Sequence, residues 1–372
     1  MFNYWALLRP DSIEVWKDPE VNKRLQWYKM VMLNKRQAKF LVAKSVEVGY
    51  SIEELEELNE GELWRLHSSL KKEFQGRLEE ARKGKWFVPV NGNFLDLKGV
   101  LVRRLVRPTC RLCERRCKVD RGQGIGACLV DDKVYVHSAF LHMGEEAPLV
   151  PSGTIFYGGC PFKCVFCQNW DVSHLKAREG VRVDAVKLAK IQKSLRLEGA
   201  RNVNHVGGDP IPSAHEIVNS MRYLDVNVPQ LWNSNMYMTE ELMDIIEDLI
   251  DIWLPDFKYW NDECALRLSG VRNYRKVVTR NLLRAARNGD LIIRHLVLPN
   301  HLECDTFPIL EWIARNLKDK ALVNVMGQYR PEYLVSKRPD RWPEIARPTS
   351  VEEIKKAREY AEELGLVWRP VS

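Results

Sequence analysis

The sequence predicts an α/β protein: a partial (β/α)6 barrel, preceded by an N-terminal helical region and a small cysteine-rich metal-binding segment. Three observations carry this. From Thr154 onward, short apolar runs alternate six times with amphipathic segments, the rhythm of parallel strands joined by right-handed crossovers. Upstream, apolar residues recur at three- and four-residue steps among charges, as on the buried stripe of a helix. Of nine cysteines, four lie between Cys110 and Cys128 and three between Cys160 and Cys167. The expected division is an N-terminal helical extension over 1–100, a four-cysteine segment over 101–150, the partial barrel over 151–335 and a C-terminal helical extension over 336–372.

The helical stripe includes Leu25, Tyr28 and Met32, then Leu55, Leu58, Leu63 and Leu66, and its simplest use is to cover one side of the main domain. Pro89, Asn91, Gly92 and Asn93 end it. The barrel strands are read in TIFYGG, NVNHVGG, PQLWNSN, DIWLPDFKY, DLIIRHLVLP and ALVNVMGQY, with helical segments between them. Six such units fall short of the eight that close a barrel, so the barrel is open and its site is expected where loops leave the carboxyl ends of the strands. A last helix from Val351 to Leu364 is opened by Thr349 or Ser350 and stopped by Gly365.

With 372 residues, 45% hydrophobic and 29% charged, the chain has the profile of a globular protein, which excludes a disulfide-stapled miniprotein and extended low-complexity regions. No apolar run approaches the roughly 18 to 20 residues of a membrane-spanning helix, so no membrane partner is expected. The first twenty residues carry Arg9, Asp11, Glu14, Lys17 and Asp18 where a signal peptide would keep an apolar stretch, and the expected location is cytoplasmic. There, clustered cysteines favour metal binding over disulfides. The net charge of +7 admits an acidic partner or nucleic acid but selects neither.

Cys160, Cys164 and Cys167 form a C-x3-C-x2-C triplet directly after the first barrel strand. Three thiolates on so short a loop can hold three irons of a [4Fe-4S] cubane and leave the fourth iron open. A structural zinc would need a fourth ligand, for which His174 is a candidate that nothing in the spacing selects.

This triplet, with Phe166 before its last cysteine, resembles the signature of the radical S-adenosylmethionine (SAM) superfamily. The resemblance implies that the open iron is chelated by the amino and carboxylate groups of SAM. An electron from the cluster would then cleave the sulfonium C–S bond to a 5′-deoxyadenosyl radical that abstracts hydrogen from a substrate. It also implies an electron donor such as flavodoxin or ferredoxin.

Further matches follow in barrel order. Gly207, Gly208 and Asp209 end the second strand, where a glycine turn lets backbone approach SAM; the family more often has Glu in place of Asp209, so the backbone is expected to matter more than the carboxylate. Asn233, Ser234 and Asn235 end the third strand and suit hydrogen bonds to a ribose or a cation. Asp256 and Lys258 end the fourth and Arg294 lies in the fifth, similar to groups that surround SAM in glycyl-radical-enzyme activases. Lys258 and Arg294 are the expected catalytic residues, cations that neutralise the SAM carboxylate; an internal ion pair between Asp256 and one of them is the plainer alternative. The segments GTIFYGGCPFKCVFCQNW, GGDP, WNSNMY, LPDFKYW, RHLVLPN and NVMGQY together look most like a branch related to pyruvate formate-lyase activating enzyme.

Cys110, Cys113, Cys117 and Cys128 supply a closed set of four thiolates with a return through Gly122, Gly124 and Gly126, suited to zinc or to a second [4Fe-4S] cluster. Arg103, Arg104, Arg107, Arg111, Arg115, Arg116, Lys118 and Arg121 crowd the same segment. They either offset thiolate charge or form a basic knuckle for RNA or an acidic protein. His301 and Cys304, in the loop after the fifth strand, read as loop residues on the active side of the barrel. Cys264 and His295 read as core, and Gln328 and Tyr329 as cavity lining by their position at the end of the sixth strand.

The expected activity is therefore that of an activase-like radical SAM oxidoreductase acting on a protein or RNA. The alternatives are a radical SAM enzyme that modifies RNA and a non-catalytic binding protein in which both cysteine groups are structural.

Overall fold

The computed structural model describes residues 7–372; the first six residues of the expected N-terminal extension lie outside it. Strands β1 (Val134–His142), β2 (Ser152–Tyr157), β3 (Val181–Val183), β4 (Val203–Gly207), β5 (Gln230–Ser234), β6 (Ile252–Pro255), β7 (Asp290–Leu296) and β8 (Ala321–Met326) form one sheet in the order β3-β1-β2-β4-β5-β6-β7-β8. The pairs from β2 through β4, β5, β6 and β7 to β8 are all parallel, which makes the six-stranded open barrel that the alternation predicts. Both faces of these strands are covered: Ile155, Val203, Trp232, Trp253, Ile293 and Val323 are fully buried, and so are the polar Asn204, His205 and Gln230.

β1 and β3 extend the sheet antiparallel on the β2 side, pairing His142 with Ser152 and Val134 with Val183. Neither strand figured in the sequence reading. β1 mixes apolar residues with His137, Ser138 and His142, and β3 is only three residues long, so neither has the continuous apolar run of a barrel strand.

Two long helices, α1 (Glu60–Lys83) and α2 (Phe94–Arg104), precede the sheet; the crossover helices are α3 (Ala185–Leu197) after β3, α4 (Ala214–Tyr223) after β4, α5 (Glu240–Ile246) after β5, α6 (Asp262–Ser269) and α7 (Tyr274–Asn288) after β6, and α8 (Phe307–Leu317) after β7. Asp184, Thr239 and Asn261 open α3, α5 and α6 with side-chain oxygens that accept helix N–H groups otherwise left without partners. The final helix, α9 (Val351–Glu363), starts at a capping box between Ser350 and Glu353, as the sequence indicates.

The N-terminal helices share the barrel's core. Trp27, Phe40, Leu63 and Phe74 belong to the same buried cluster as Trp232, Trp253 and Val323. Polar ties fix the contact: Trp27 Nε1 donates to Asp251 Oδ1 at 2.8 Å, and Lys39, fully buried, donates through Nζ to the Ile250 carbonyl at 2.6 Å. Lys98 likewise reaches Asp248 Oδ2 at 2.8 Å from a helix over Phe94–Arg104. No helix among the described residues is long and apolar enough to cross a membrane.

Candidate functional site

The carboxyl ends of the parallel strands converge on a cavity of about 220 Å3. Cys160, Cys164 and Cys167 line it from the loop after β2, and Gly207, Gly208 and Asp209 from the end of β4. Asn233, Ser234 and Asn235 contribute from β5, Asp256 and Lys258 from β6, and Arg294 from β7. The barrel residues expected to hold the cluster or SAM are thus gathered around one space, although the last of them lies more than a hundred residues from the first.

The cysteine loop is held from several sides. Cys160 N–H donates to the Cys128 carbonyl at 3.3 Å, and Lys163 and Val165 donate to the Ser269 and Leu268 carbonyls at the end of α6, each at 2.9 Å. Cys164 Sγ lies 2.9 Å from Ser269 Oγ, and Cys167 Sγ lies 3.7 Å from Ser173 Oγ on a π-helical turn over Asp171–Leu175. Burial raises all three thiols; neighbouring thiols raise Cys160 and Cys164 further, Cys164 reaching about 12, and Asp171 raises Cys167. Three thiols gathered on one shielded loop suit a cationic centre that would offset their combined charge. His174 is not part of the set: its ring packs on Tyr333 with centroids 5.4 Å apart.

Gly207 and Gly208 form the turn beside the cysteines. Gly207 has φ of +110°, and a Cβ on Gly208 would lie 2.2 Å from the Gly159 carbonyl oxygen, so the turn needs both glycines. Asn169 Nδ2 donates to the Gly207 carbonyl at 3.3 Å. Asp209 faces inward, where it accepts from Ser234 Oγ at 3.1 Å, from Asn235 N–H at 2.9 Å and from Asn235 Nδ2 at 2.9 Å. Burial pushes its pKa up to about 6 against those hydrogen bonds. This is a positioning role for the carboxylate that the sequence did not reveal. In the same wall Asn233 Nδ2 and Asn235 Oδ1 are buried without a partner in the chain, a donor and an acceptor left for a polar ligand.

The basic residues have partners already. Lys258 Nζ pairs with Asp256 Oδ2 at 2.8 Å, the internal ion pair that was the plainer alternative. Arg294 Nε and Nη2 each lie 2.7 Å from a carboxylate oxygen of Glu146, and Nη2 also contacts Glu145. Asn324 donates to the same Glu146 at 2.7 Å. Neither glutamate was singled out in the sequence, because they precede the barrel and carry no motif. A second cavity of about 520 Å3 adjoins the first and shares Gln168, Asn169, Asn233, Arg294 and Met326 with it; Gln328 lines it. Tyr329 is instead buried, donating from its hydroxyl to the Ile345 carbonyl at 2.7 Å and packing edge-on against Phe166. His295 is a core residue, held at Nδ1 by the Phe257 carbonyl and at Nε2 by Thr306 Oγ1.

Cys110, Cys113, Cys117 and Cys128 also come together: beyond burial, Cys128 and Cys117 raise the Cys110 thiol, and all three others raise that of Cys113. A Cβ on Gly126 would lie 3.2 Å from Cys128 Sγ and 3.6 Å from Cys117 Sγ, so glycine leaves the space into which these thiols point. The surrounding arginines are largely engaged within the chain. Arg121 is fully buried on the Asp131 and Pro212 carbonyls, Arg111 grips Glu60, Arg107 pairs with Asp120, Arg116 with Glu114 and Glu241, and Arg115 reaches the Pro161 carbonyl.

Residues 154–313 match the model of the Radical SAM superfamily. The protein recorded as "Uncharacterized protein MJ0674" of Methanocaldococcus jannaschii is 43% identical over 334 residues, covering 88% of this chain and 94% of that protein. Among solved structures, Streptococcus suis SuiB bound to S-adenosylmethionine is similar with a TM-score of 0.40 and 14% identity, covering 55% of this chain and 44% of that one. TYW1 with a lysine-pyruvate adduct is similar with a TM-score of 0.34 and 12% identity, covering 56% and 73%. The chain thus spans less than half of the SAM-bound SuiB chain. With the cysteine triplet at the first parallel strand and the family match from that strand into the helix after β7, residues 154–313 form a domain of the radical SAM superfamily, a family that implies a [4Fe-4S] cluster and SAM.

Proposed function

We propose that this chain is a radical SAM oxidoreductase of the activating-enzyme type, in which Cys160, Cys164 and Cys167 hold the cluster and the cavity beside them holds SAM. The observation that carries the reading is that these three thiols share one cavity with two buried polar atoms, Asn233 Nδ2 and Asn235 Oδ1, that have no partner in the chain. When bound, the reduced cluster supplies the electron that cleaves SAM to methionine and a 5′-deoxyadenosyl radical.

The protein's share is binding and orientation. Asp209 fixes Asn235 and Ser234, so the amide of Asn235 meets the ligand preset rather than mobile. Asp256 holds Lys258 in place, and burial, which alone would lower the Lys258 pKa, is outweighed by Asp256 and the nearby thiols, so the ammonium stays charged beside the cavity. Leu296, Met326 and Phe166 supply apolar wall that excludes water from a reactive radical. The adjoining 520 Å3 cavity is the proposed entry for substrate, and a protein substrate is proposed on the resemblance of the barrel segments to pyruvate formate-lyase activating enzyme. The upstream four-cysteine group is proposed to hold zinc or a second [4Fe-4S] cluster, and iron, sulfide and zinc quantification separates the two. The engagement of the arginines with carboxylates and carbonyls of the chain itself favours charge compensation over an RNA-binding face.

The test is anaerobic reconstitution with iron and sulfide, reduction, and quantification of 5′-deoxyadenosine formed from SAM. Wild type is expected to form it and Cys164→Ala is not. A fully iron-loaded wild type that cleaves no SAM would leave the non-catalytic binding protein as the reading. Appearance of a glycyl radical by electron paramagnetic resonance, on incubation with a glycyl-radical protein of the same genome, tests the activase assignment separately.

A further inference from the structure

Outside this site, the structure brings together four residues from two connections that the sequence left as unrelated. Cys264 lies in the first turn of α6, while His301, Cys304 and Asp305 lie on or beside the π-helical turn Leu302–Thr306 that leads into α8. One ligand atom from each lies within 4.8 Å of the other three. We propose that Cys264, His301, Cys304 and Asp305 form a mononuclear zinc site that ties the connection after β6 to the connection after β7.

Each side chain is preset for such a role. His301 is buried and its Nδ1 lies 2.9 Å from the Pro299 carbonyl, which can only accept; Nδ1 therefore carries the proton and Nε2 keeps a lone pair for a metal. Asp305 is buried as well. Its Oδ1 accepts from Trp260 N–H at 2.7 Å and Asn261 N–H at 2.8 Å, which fixes the carboxylate and leaves Oδ2 toward the sulfurs, 3.7 Å from Cys304 Sγ. Both cysteines are free thiols and half-buried, shielded but reachable by an ion. The donor set selects the metal class. Two thiolates exclude calcium and magnesium, which take oxygen ligands, and a nitrogen, an oxygen and two sulfurs fill the four positions of tetrahedral zinc. With every position taken by protein, the site is structural.

Its place in the fold gives it a purpose. The helix that carries Cys264 ends at Ser269, whose hydroxyl touches Cys164 and whose carbonyl receives Lys163 N–H. An ion at the start of α6 would therefore steady the helix whose other end holds the cysteine loop of the barrel.

The test uses the full chain purified anaerobically without chelator. Wild type is expected to contain one more zinc per chain than Cys264→Ser/Cys304→Ser, whatever metal the upstream four cysteines hold, because both proteins keep that group. Independently, Cys264 and Cys304 in wild type are expected to resist alkylation by iodoacetamide until a chelator is added, and to regain protection on addition of zinc chloride, as read by peptide mass spectrometry. Cobalt chloride added to the stripped protein is expected to restore the same protection and to give a thiolate-to-cobalt charge-transfer band that the double variant gives more weakly. Equal zinc in wild type and variant, alkylation indifferent to chelator and zinc, or a Cys264–Cys304 disulfide in the anaerobic protein would each overturn the site. Should the variant fail to fold, the alkylation pattern of wild type decides.

Discussion

Ser269 Oγ stands 2.9 Å from Cys164 Sγ and 2.7 Å from the Tyr259 hydroxyl, so a short chain of hydroxyls ends on a thiol of the cysteine loop. A hydrogen bond to a cluster sulfur stabilises the reduced, more negative state and raises its potential. Ser269→Ala is expected to lower the midpoint potential of the reconstituted cluster by on the order of tens of millivolts. Tyr259→Phe, one hydroxyl further away, should shift it less. A redox titration followed by electron paramagnetic resonance checks both; an unchanged potential in Ser269→Ala at full iron loading would remove Ser269 as a donor.

Asp209 is a framework residue with four donors aimed at it, from Ile211 N–H, Ser234 Oγ, Asn235 N–H and Asn235 Nδ2. In Asp209→Asn the new amide turns a donor toward donors and releases the Asn235 side chain. Loss of two hydrogen bonds at about 1 kcal/mol each corresponds to roughly 30-fold weaker SAM binding. Calorimetric titration of SAM into the iron-loaded variant is the measurement, and affinity within twofold of wild type would show that Asp209 does not position the ligand wall.

Glu146 and Arg294 make a buried, forked ion pair in which Asn324 also takes part. Burial alone would raise the Glu146 pKa, but Arg294 and Asn324 hold it below the ordinary carboxylate range. Removing one partner leaves a buried charge that Glu145 only partly serves, so Glu146→Gln is expected to cost about 2 to 3 kcal/mol in denaturant unfolding. Its SAM affinity should change little. Were SAM binding to fall tenfold with stability intact, Arg294 would instead be a ligand residue that Glu146 merely aims.

Spacing made much of this legible, and pairing did not. The triplet from Cys160 to Cys167 and the six apolar runs are local patterns, so the barrel and the loop that opens its site follow from neighbours in the chain. Asp209 was visible as a turn residue, but its function depends on Ser234 and Asn235, which only the adjacency of β4 and β5 brings near. Glu145 and Glu146 sit in an unremarkable stretch and matter only because the antiparallel pairing of β1 with β2 delivers them to Arg294. Cys264 and Cys304, forty residues apart, gave no spacing signal at all and meet because β6 and β7 are neighbours. Lys39 and Lys98 could not have been read as buried, since a lysine announces burial only through the carbonyls and carboxylates that the fold turns toward it.

The pH dependence of stability should carry the mark of His205. Its ring is buried between β2 and β5, with Nδ1 2.8 Å from the Tyr157 hydroxyl and Nε2 2.9 Å from Gln230 Oε1. Burial lowers its pKa to about 4, against about 6.5 in an unfolded chain. A depressed base binds fewer protons folded than unfolded between those two values. Its contribution is therefore fully present above about pH 6.5 and is lost as pH falls toward 4, by about 3 kcal/mol. His205→Gln retains hydrogen-bonding capacity but does not titrate. It should be less stable than wild type at pH 7, yet the gap should close by about that amount on going to pH 4, because carboxylates and the other histidines titrate alike in both proteins. Urea unfolding of the two proteins at matched pH values measures the gap; one that stays constant across this range would mean that His205 is protonated in the native barrel.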